Sequence, residues 1–141
     1  MTDATPPGDS EQWAELVHQA LKARGAAYAP YSRFRVGAAL LVPDGQIFTG
    51  CNVENAAYSP SLCAERVAVA KAVEAGARSF VAIAIATATD PPATPCGVCR
   101  QVLREFNHEL PIICVNPSGD RRDLWLSDLL PHSFSKKDLD V

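Results

Sequence analysis

The chain has 141 residues, of which 48% are hydrophobic and 21% are charged, and its formal net charge is −3 at pH 7. This length corresponds to one domain with a hydrophobic core, and the composition excludes an intrinsically disordered chain. The acidic balance argues against a protein that grips the phosphates of a nucleic acid, so we expect a small-molecule substrate.

The N-terminal residues predict neither export nor membrane insertion. Residues 1–9 lack the basic start and the apolar segment of a signal peptide, and we interpret them as a flexible tail before a single domain at residues 10–141. No apolar run approaches the roughly 20 residues that span a bilayer. Five cysteines, an odd number, fit a reducing compartment better than a disulfide framework. We therefore expect a cytoplasmic protein without a membrane partner.

A helix and a hairpin open the predicted domain. Ser10 is a candidate N-cap, and the helix is expected to run to about Tyr28, with an apolar stripe at helical spacing: Trp13, Leu16, Val17, Ala20 and Leu21. Alternation from Val36 to Leu40, a turn at Asp44-Gly45 and a return strand ending at Cys51 predict the hairpin. Residues 52–60 have loop composition, and loops beside a helix start often carry binding groups.

Two motifs, Cys63-Ala64-Glu65-Arg66 and Pro95-Cys96-Gly97-Val98-Cys99-Arg100, each predict the first turn of a helix. Ser61 and Thr94 are the candidate N-caps of these helices, and Pro95 suits the first helical position. The first helix is expected to end with Gly76 as its C-cap, and the second near residue 108.

Strands are predicted on either side of the second motif. The apolar run Phe80–Ala86 predicts a central strand buried on both faces, and Pro111–Val115 predicts another. The short turn Asn116–Asp120 makes the last strand antiparallel. Both cysteine motifs are then expected at the carboxyl ends of neighbouring strands, where α/β ligand sites form. The predicted fold is α/β, a three-layer α/β/α arrangement with a mixed five-stranded sheet.

The cysteines of the two motifs predict a zinc site. Cys96 and Cys99 are three residues apart, so both sulfurs can project from one helical face, and helix N-termini favour thiolates. Together with Cys63 they can hold zinc tetrahedrally and leave the fourth position open, the layout of a catalytic site. Glu65 is a carboxylate beside that open position.

Two other interpretations of the cysteines exist. A redox pair explains Cys96 and Cys99 but gives Cys63 and Glu65 no task. A closed structural zinc site needs a fourth ligand, for which there are three candidates: Cys51, Cys114 and His108. Strand positions for the two cysteines and a surface position at a helix end for the histidine argue against them.

The motifs carry the known signature of zinc-dependent nucleobase deaminases, and the chain resembles the small, homotetrameric class of cytidine deaminases. The resemblance runs from the first helix to the C-terminus and is carried by four segments: Tyr28–Leu40, Gly50–Ser59, Pro95–Val102 and Leu129–Phe134. It implies hydrolytic deamination of cytidine and 2′-deoxycytidine to uridine and 2′-deoxyuridine with release of ammonia, a step of pyrimidine salvage. It also implies one zinc ion per subunit and a homotetramer with active sites shared between subunits.

The resemblance assigns the catalytic roles residue by residue. Cys63, Cys96 and Cys99 hold the zinc ion, and a zinc-bound hydroxide attacks C4 of the pyrimidine. Glu65 is the proton shuttle, which moves the water proton to N3 and then protonates the departing amine. Arg66 hydrogen-bonds ligand sulfurs and offsets the negative charge that three thiolates bring to the zinc site.

The resemblance also assigns the substrate contacts. Phe34 corresponds to the aromatic residue that packs against the base. Asn52 and Glu54, two apart in an extended segment, face the same way and correspond to the residues that bind the 3′-OH. Ala56, Tyr58 and Phe134 complete the predicted pocket, and Tyr58 and Phe134 are expected to act across a subunit boundary.

Other functions are carried as alternatives. The nearest is a deaminase of the same fold that acts on another aminopyrimidine, such as a blasticidin-type nucleoside, although Asn52-Val53-Glu54 favours the free nucleoside. Editing of tRNA or DNA fits the acidic balance less well. A non-enzymatic zinc or redox module is an alternative of a different class.

Overall fold

A computed structural model describes residues 11–141, so the predicted tail at residues 1–9 and the predicted cap Ser10 lie outside the described residues. In chain order the elements are α1 (Glu11–Arg24), β1 (Gly37–Leu41), β2 (Ile47–Cys51), α2 (Ala64–Glu74), β3 (Ala82–Ala86), α3 (Gly97–Phe106), β4 (Pro111–Val115), β5 (Arg121–Trp125), α4 (Leu126–Leu129) and a 3-10 turn (Lys136–Leu139). Within this part of the chain, none of the helices has the length and apolar character that crossing a membrane requires.

The five strands form one mixed sheet, as predicted, and their order is β2-β1-β3-β4-β5. The predicted hairpin is confirmed, since β1 pairs antiparallel with β2 from Gly37 opposite Cys51 to Leu41 opposite Ile47. β3 is the central strand and is buried along its whole length. It pairs parallel with β4, and β4 pairs antiparallel with β5, which confirms the orientation deduced from the short turn.

Helices cover both faces of the sheet and give the predicted three layers. On one face, the buried side of α1 packs on alternate strand residues, among them Ala39, Leu41, Ala84 and Ile113. On the other face, α2 and α3 bury the intervening residues, including Leu40, Ile83, Ile85, Ile112 and Cys114. Because both faces are covered, β1 and β3 are apolar throughout rather than alternately polar.

The first helix is shorter than predicted. It ends at Arg24 rather than near Tyr28, because Tyr28 pairs with the extended segment after β2. The Tyr28 amide donates to Asn52 O at 2.9 Å, and the Glu54 amide donates to Tyr28 O at 2.9 Å. The pairing ties the end of the α1 region to the predicted substrate loop.

Both predicted N-caps are wrong. α2 begins at Ala64 and α3 at Gly97, with Cys63 and Cys96 as extended N-cap residues that make no side-chain capping hydrogen bond. Ser61 Oγ instead accepts from the Asn55 amide, and Thr94 Oγ1 accepts from Arg100. The cysteines occupy the cap positions, so Ser61 and Thr94 each lie two residues before the N-cap and do not cap the free amides.

Gly76 ends α2 as predicted, although it lies directly after the C-cap residue, which is Ala75. Gly76 has a φ of +105°, its amide donates to Val73 O, and the amide of Ala77 donates to Ala72 O. These two hydrogen bonds form a Schellman motif, in which glycine adopts the left-handed conformation without a steric penalty.

One prediction about connectivity needs correction. The strands that precede the two cysteine motifs, β2 and β3, are not neighbours, because β1 lies between them. β1 is antiparallel to both, so the carboxyl ends of β2 and β3 still lie at the same edge of the sheet as the amino end of β1. The residues that precede β1 therefore lie at the same sheet edge as the two cysteine motifs.

Gly50 on β2 permits the close approach of α2 that sets the site. A Cβ atom built on Gly50 would lie 2.3 Å from Ala64 O and 2.7 Å from Ala68 N, distances at which backbone atoms clash. The first turn of α2 therefore rests directly on the backbone of β2. This contact fixes the height of Cys63 and Glu65 above the sheet edge.

Candidate metal centre and active site

The three predicted zinc ligands come together at the starts of α2 and α3. The sulfur atoms of Cys63, Cys96 and Cys99 lie within 4.8 Å of one another, and the Sγ atoms of Cys63 and Cys96 are 3.9 Å apart. Zinc–sulfur bonds of about 2.3 Å at tetrahedral angles place thiolate sulfurs roughly 3.8 Å apart. The donor set and its spacing therefore fit a zinc ion.

The alternative fourth ligands are not part of this cluster. Among residues 11–141 the three cysteines are the one group of His, Cys, Asp or Glu side chains whose ligand atoms lie close enough for a shared metal ion. Cys114 is fully buried within the sheet, where burial raises the pKa of its thiol to about 12. His108 is exposed beyond the end of α3, as expected, and Cys51 is half-buried at the end of β2.

The sulfur cluster is already poised to carry negative charge. A hydrogen bond from Cys99, helped by Arg66 and Cys96, lowers the pKa of the Cys63 thiol to about 5 against an opposing effect of burial. The same hydrogen bond and burial raise the pKa of Cys99. Without metal, the thiolate is therefore on Cys63 and Cys99 holds the proton. Zinc binds thiolates, so binding to all three sulfurs releases the protons that the cluster still holds.

Arg66 lies where the predicted charge compensation requires it. Its Nη2 donates to Ser61 O at 3.2 Å and lies 3.6 Å from Cys63 Sγ, within the range of a hydrogen bond to sulfur. Its Nε is buried and makes no hydrogen bond. The guanidinium thus places a positive charge against one ligand sulfur and the loop before it.

Glu65 lies in the first turn of α2 and is only 5% exposed. Burial is the main reason that the pKa of its carboxyl rises to about 7, and the negative charge of Cys63 raises it further. A group with a pKa near neutral pH can both take and return a proton under physiological conditions. The predicted proton shuttle therefore has the acidity that its role needs.

A cavity of about 470 Å³ opens over the cysteines and Glu65, within the size range of small-molecule sites. Most of the predicted substrate and metal residues line it: Phe34, Asn52, Glu54, Tyr58, Cys63, Glu65, Arg66 and Cys96. Three predicted residues do not: Cys99 is buried, Ala56 is exposed on the loop after β2, and Phe134 lies elsewhere on the surface. One chain therefore assembles most of the predicted site, but not all of it.

Asn52 and Glu54 point to the same side, as predicted, and both hold the segment that carries Phe34. Asn52 Nδ2 donates to Phe34 O at 2.7 Å, and Asn52 Oδ1 accepts from the Val36 amide at 2.8 Å. Glu54 Oε1 accepts from the amides of Tyr31 and Ser32, at 3.0 and 3.1 Å, and Oε2 accepts from the Ser32 hydroxyl. These hydrogen bonds hold the pKa of the Glu54 carboxyl below its usual range. The two side chains thus shape the cavity wall.

Sequence reasoning missed several cavity residues from the ends of strands and loops: Val36, Ser61, Leu62, Ile85, Thr87, Ala93 and Thr94. Thr87 is the most informative of them, because it is buried and its Oγ1 accepts from the Ala93 amide at 3.1 Å. A signal for it existed in the sequence. Thr87 is the first polar residue after the apolar run of the central strand, at the edge where ligand sites form.

The C-terminal segment is fixed on α3 and leaves the Phe134 side chain outward. Gln101 Nε2 donates to Phe134 O at 2.9 Å, and Arg104 Nε donates to Ser133 Oγ at 2.8 Å. The Phe134 side chain is 57% exposed, so it does not fold back onto its own sheet. Tyr58, which lines the cavity, is 74% exposed, and its ring packs edge-on with that of Tyr31, with ring centroids 6.4 Å apart.

Comparison with known proteins agrees with this site. The family described as "Cytidine and deoxycytidylate deaminase zinc-binding region" matches residues 10–114. A cytidine deaminase of Sporosarcina psychrophila is 52% identical over 126 residues, which cover 89% of this chain and 93% of that relative. One from Mycobacterium tuberculosis is 43% identical over 127 residues, covering 90% of this chain and 92% of the relative. These relatives give no support to the blasticidin-type alternative.

A solved structure has the same fold. The crystal structure of cytidine deaminase from Burkholderia pseudomallei superposes with a TM-score of 0.83 at 48% identity, covering 86% of this chain and 98% of that one. The three-layer fold with a zinc centre beside a buried glutamate defines a zinc-dependent hydrolytic deaminase. The chain belongs to the cytidine and deoxycytidylate deaminase family.

Proposed function

We propose that the protein hydrolyses cytidine and 2′-deoxycytidine to uridine and 2′-deoxyuridine and releases ammonia. The observation that carries this proposal is the buried Glu65 carboxyl, with its pKa near 7, beside the three-sulfur cluster in a cavity of small-molecule size. The similarity to proteins named cytidine deaminase, at 43–52% identity over about nine-tenths of the chain, supports the choice of substrate.

Cys63, Cys96 and Cys99 are the residues that hold zinc in this proposal. When bound, the ion supplies Lewis acidity that lowers the pKa of a water molecule toward neutrality. Arg66 adds a positive charge beside Cys63, which counteracts the surplus negative charge of three thiolates. The helix N-termini at Cys63 and Cys96 contribute in the same direction.

Glu65 carries the protons of the reaction. Its carboxylate accepts a proton from the attacking water and delivers it to N3 of the pyrimidine as the C4–O bond forms. It then conveys the remaining water proton to the exocyclic amine as the C4–N bond breaks, so that ammonia leaves and the base keeps a carbonyl at C4. Burial serves both steps because it brings the carboxyl pKa close to neutral pH.

The substrate residues are proposed on their place in the cavity wall. Phe34 presents its ring for packing against the base, and Asn52 and Glu54 bind the 3′-OH of the sugar. Their oxygens accept hydrogen bonds from the Tyr31–Val36 segment but have further lone pairs to offer a hydroxyl. A contact to the 3′ position ignores the 2′ position, which accounts for acceptance of both sugars.

Ala56, Tyr58 and Phe134 complete the proposed pocket, with Tyr58 and Phe134 acting across a subunit boundary in a homotetramer with closed symmetry. The exposed side chains of Tyr58 and Phe134 support this role, as does the fixed backbone at Phe134. Further apolar side chains are exposed on the segments before β1 and after β2: Tyr28, Tyr31, Val53 and Leu62. Contact with a second copy would bury this surface.

Further parts of the proposal concern the setting of the enzyme. Residues 10–141 form one catalytic domain, which acts in pyrimidine salvage in the cytoplasm without a nucleic-acid or membrane partner. The net charge of −3 and the five free thiols support these statements, since the first disfavours polyanions and the second suits a reducing compartment.

An ultraviolet assay on cytidine and 2′-deoxycytidine, combined with zinc analysis, tests the proposal. The zinc-loaded protein is expected to convert both nucleosides and release one ammonia per turnover. Glu65→Gln keeps the shape of the side chain and is expected to retain zinc while losing a factor of about 10²–10⁴ or more in turnover. No conversion of either nucleoside by the zinc-loaded protein, or near-full activity of the zinc-loaded variant, would contradict the proposal.

A further inference from the structure

Arg100 joins the loop before the second zinc-site helix to the C-terminal segment. It lies on α3 four residues after Cys96, and its side chain turns back toward the start of the helix. Its Nε donates to Pro95 O at 2.7 Å, and its Nη2 donates to Thr94 Oγ1 at 3.0 Å. Its Nη1 donates to Leu129 O at 2.7 Å, at the end of α4. One guanidinium thus ties together two segments that are distant in sequence.

Helix stabilisation does not explain this position. The N-terminal end of a helix carries partial positive charge, so a cation turned toward it is on the unfavourable side of the helix dipole. The three acceptors of Arg100 are two carbonyl oxygens and a hydroxyl oxygen, none of them charged. The contacts therefore fix geometry rather than neutralise a charge. A planar group with several N–H donors in a rigid fork is suited to that task.

Arg66 and Arg100 both lie near the starts of the two zinc-site helices, three residues after the N-cap Cys63 and four residues after the N-cap Cys96. Arg66 donates to Ser61 O, two residues before the N-cap Cys63, and Arg100 donates to Pro95 O, directly before the N-cap Cys96. Each arginine therefore donates a hydrogen bond to the loop that precedes its N-cap cysteine. Arg66 also reaches a sulfur atom, whereas Arg100 donates to the loop and to the end of α4.

We propose that Arg100 is a positioning residue of the zinc site, which fixes Cys96 by clamping its loop to the end of α4. Cys96 is the exposed member of the sulfur cluster, and its place relative to Cys63 depends on the loop that leads into α3. Residues that orient metal ligands typically influence metal affinity by about 10–100-fold. The clamp therefore serves zinc retention, a property separate from the chemistry of the substrate.

The rate of zinc release from the folded, zinc-loaded protein to an excess of chromogenic chelator tests this role. Arg100→Lys keeps the positive charge but replaces the planar fork with a single nitrogen that cannot span all three acceptors. This variant is expected to release zinc about 10–100-fold faster than the wild type. Arg104→Lys is the matched control, because Arg104 lies one turn later on the same helix and contacts Ser133 Oγ. We expect it to release zinc at the wild-type rate.

Thr94→Val provides a second variant that leaves the arginine in place. It removes one of the three acceptors, and the loss of one hydrogen bond is expected to accelerate zinc release by about 2- to 10-fold. This variant decides the outcome if Arg100→Lys fails to fold in a thermal scan. A wild-type rate of zinc release from a folded Arg100→Lys protein would overturn the proposal. If that variant does not fold, a wild-type rate from Thr94→Val would do so. An equal acceleration of zinc release in Arg104→Lys would also overturn it. Because zinc release is measured without nucleoside, such a result leaves the deamination proposal intact.

Discussion

Asn52 and Phe34 are joined by a hydrogen bond of 2.7 Å from the side-chain amide of Asn52 to the backbone carbonyl of Phe34. The other end of the same amide accepts from the Val36 N–H, so that Asn52 holds the chain on both sides of residue 35. Asn52 is 8% exposed, and buried polar groups of this kind are costly to leave unpaired. Asn52, which the family resemblance predicts to bind a sugar hydroxyl, therefore also holds the segment that carries Phe34, the aromatic residue proposed to pack against the base.

Asn52→Asp tests this double role. The carboxylate can still accept from Val36 but faces the Phe34 carbonyl without a donor, and it buries a charge. We expect a loss of about 1–3 kcal/mol in the free energy of unfolding, measured with urea, and a raised KM for cytidine. Asn52→Ala removes both contacts without adding a charge and is expected to be less damaging to folding. Wild-type stability and KM in the Asp variant would show that the amide donor does not matter.

The three-sulfur cluster leads to a prediction about metal content. Cys63→Ala, Cys96→Ala and Cys99→Ala each leave two sulfurs, too few for tight zinc binding, so we expect zinc and activity to be lost together. Cys51→Ala is the matched control, since Cys51 is a half-buried thiol at the end of β2 and not a member of the cluster. It should keep one zinc per subunit by atomic absorption. Full metal content in any of the first three variants would mean that another residue is a ligand.

Arg66 leads to a prediction about the pH at which zinc is released. It helps to lower the pKa of Cys63, so Arg66→Gln is expected to raise that pKa. Protons then compete with zinc for the sulfur at a higher pH, and the midpoint of zinc release on acidification should move upward. The acidic limb of the pH–rate profile is expected to move as well. Arg78→Gln serves as the control, because Arg78 contacts backbone carbonyls at the far end of α2. If the pH midpoint of zinc release is the same in the wild type and in both variants, Arg66 has no electrostatic role at the zinc site.

Much of this architecture was predictable because its signals are local. The stripe on α1 and the apolar run of β3 are periodic patterns that report burial directly, and helices on both faces confirm them. The spacing of Cys96 and Cys99 likewise fixes two sulfurs on one helical turn, and Gly76 marks the end of α2. In each case the physical cause lies within a few residues of the feature itself.

The errors arose where distant segments compete with local preference. Ser61 and Thr94 are residue types that favour the N-cap position. The two helices nevertheless begin two residues later, with Cys63 and Cys96 as their N-cap residues. The sequence pattern extends α1 to about Tyr28, yet the backbone of Tyr28 pairs with the chain after β2. The insertion of β1 between β2 and β3 has no local signature at all. These features depend on tertiary pairing, which a single sequence does not display.

Glu65 leads to a prediction about the stability of the metal-free protein. Its pKa is raised from 4.5 to about 7 by burial, so the unfolded chain loses this proton at a lower pH than the folded one. The contribution of Glu65 to stability is therefore fully present below about pH 4.5 and is lost as the pH rises through 7. Glu65→Gln cannot ionise and escapes this loss.

Urea unfolding of both chelator-treated proteins at pH 5 and pH 8 measures the difference. We expect the free energy of unfolding of the glutamine variant, relative to that of the wild type, to be higher at pH 8 than at pH 5 by an amount on the order of 1–3 kcal/mol. The titration of Cys63 is common to both proteins and largely cancels in the comparison. A difference in stability that is the same at both pH values would show that the buried carboxyl does not titrate in this range.

Phe134 leads to a prediction about subunits that share a site. Its backbone is held by Gln101 on its own chain, while its side chain is exposed and does not line the cavity of that chain. If the ring closes a neighbour's pocket, Phe134→Ala damages the neighbour and Glu65→Gln damages its own subunit. Each variant alone is then expected to be strongly impaired while still folding and holding zinc.

Mixing the two variants after mild dissociation and reassembly tests the sharing of sites. A Phe134→Ala subunit next to a Glu65→Gln subunit has an intact Glu65 and receives an intact phenylalanine, so that site is complete. Random mixing at equal amounts makes about one site in four complete, and activity should rise to roughly a quarter of the wild-type value. The control mixes each variant with itself under the same conditions, where no recovery is expected. A monomeric mass in solution with full activity, or no recovery in mixtures that demonstrably contain both chains, would rule out a site built by two subunits.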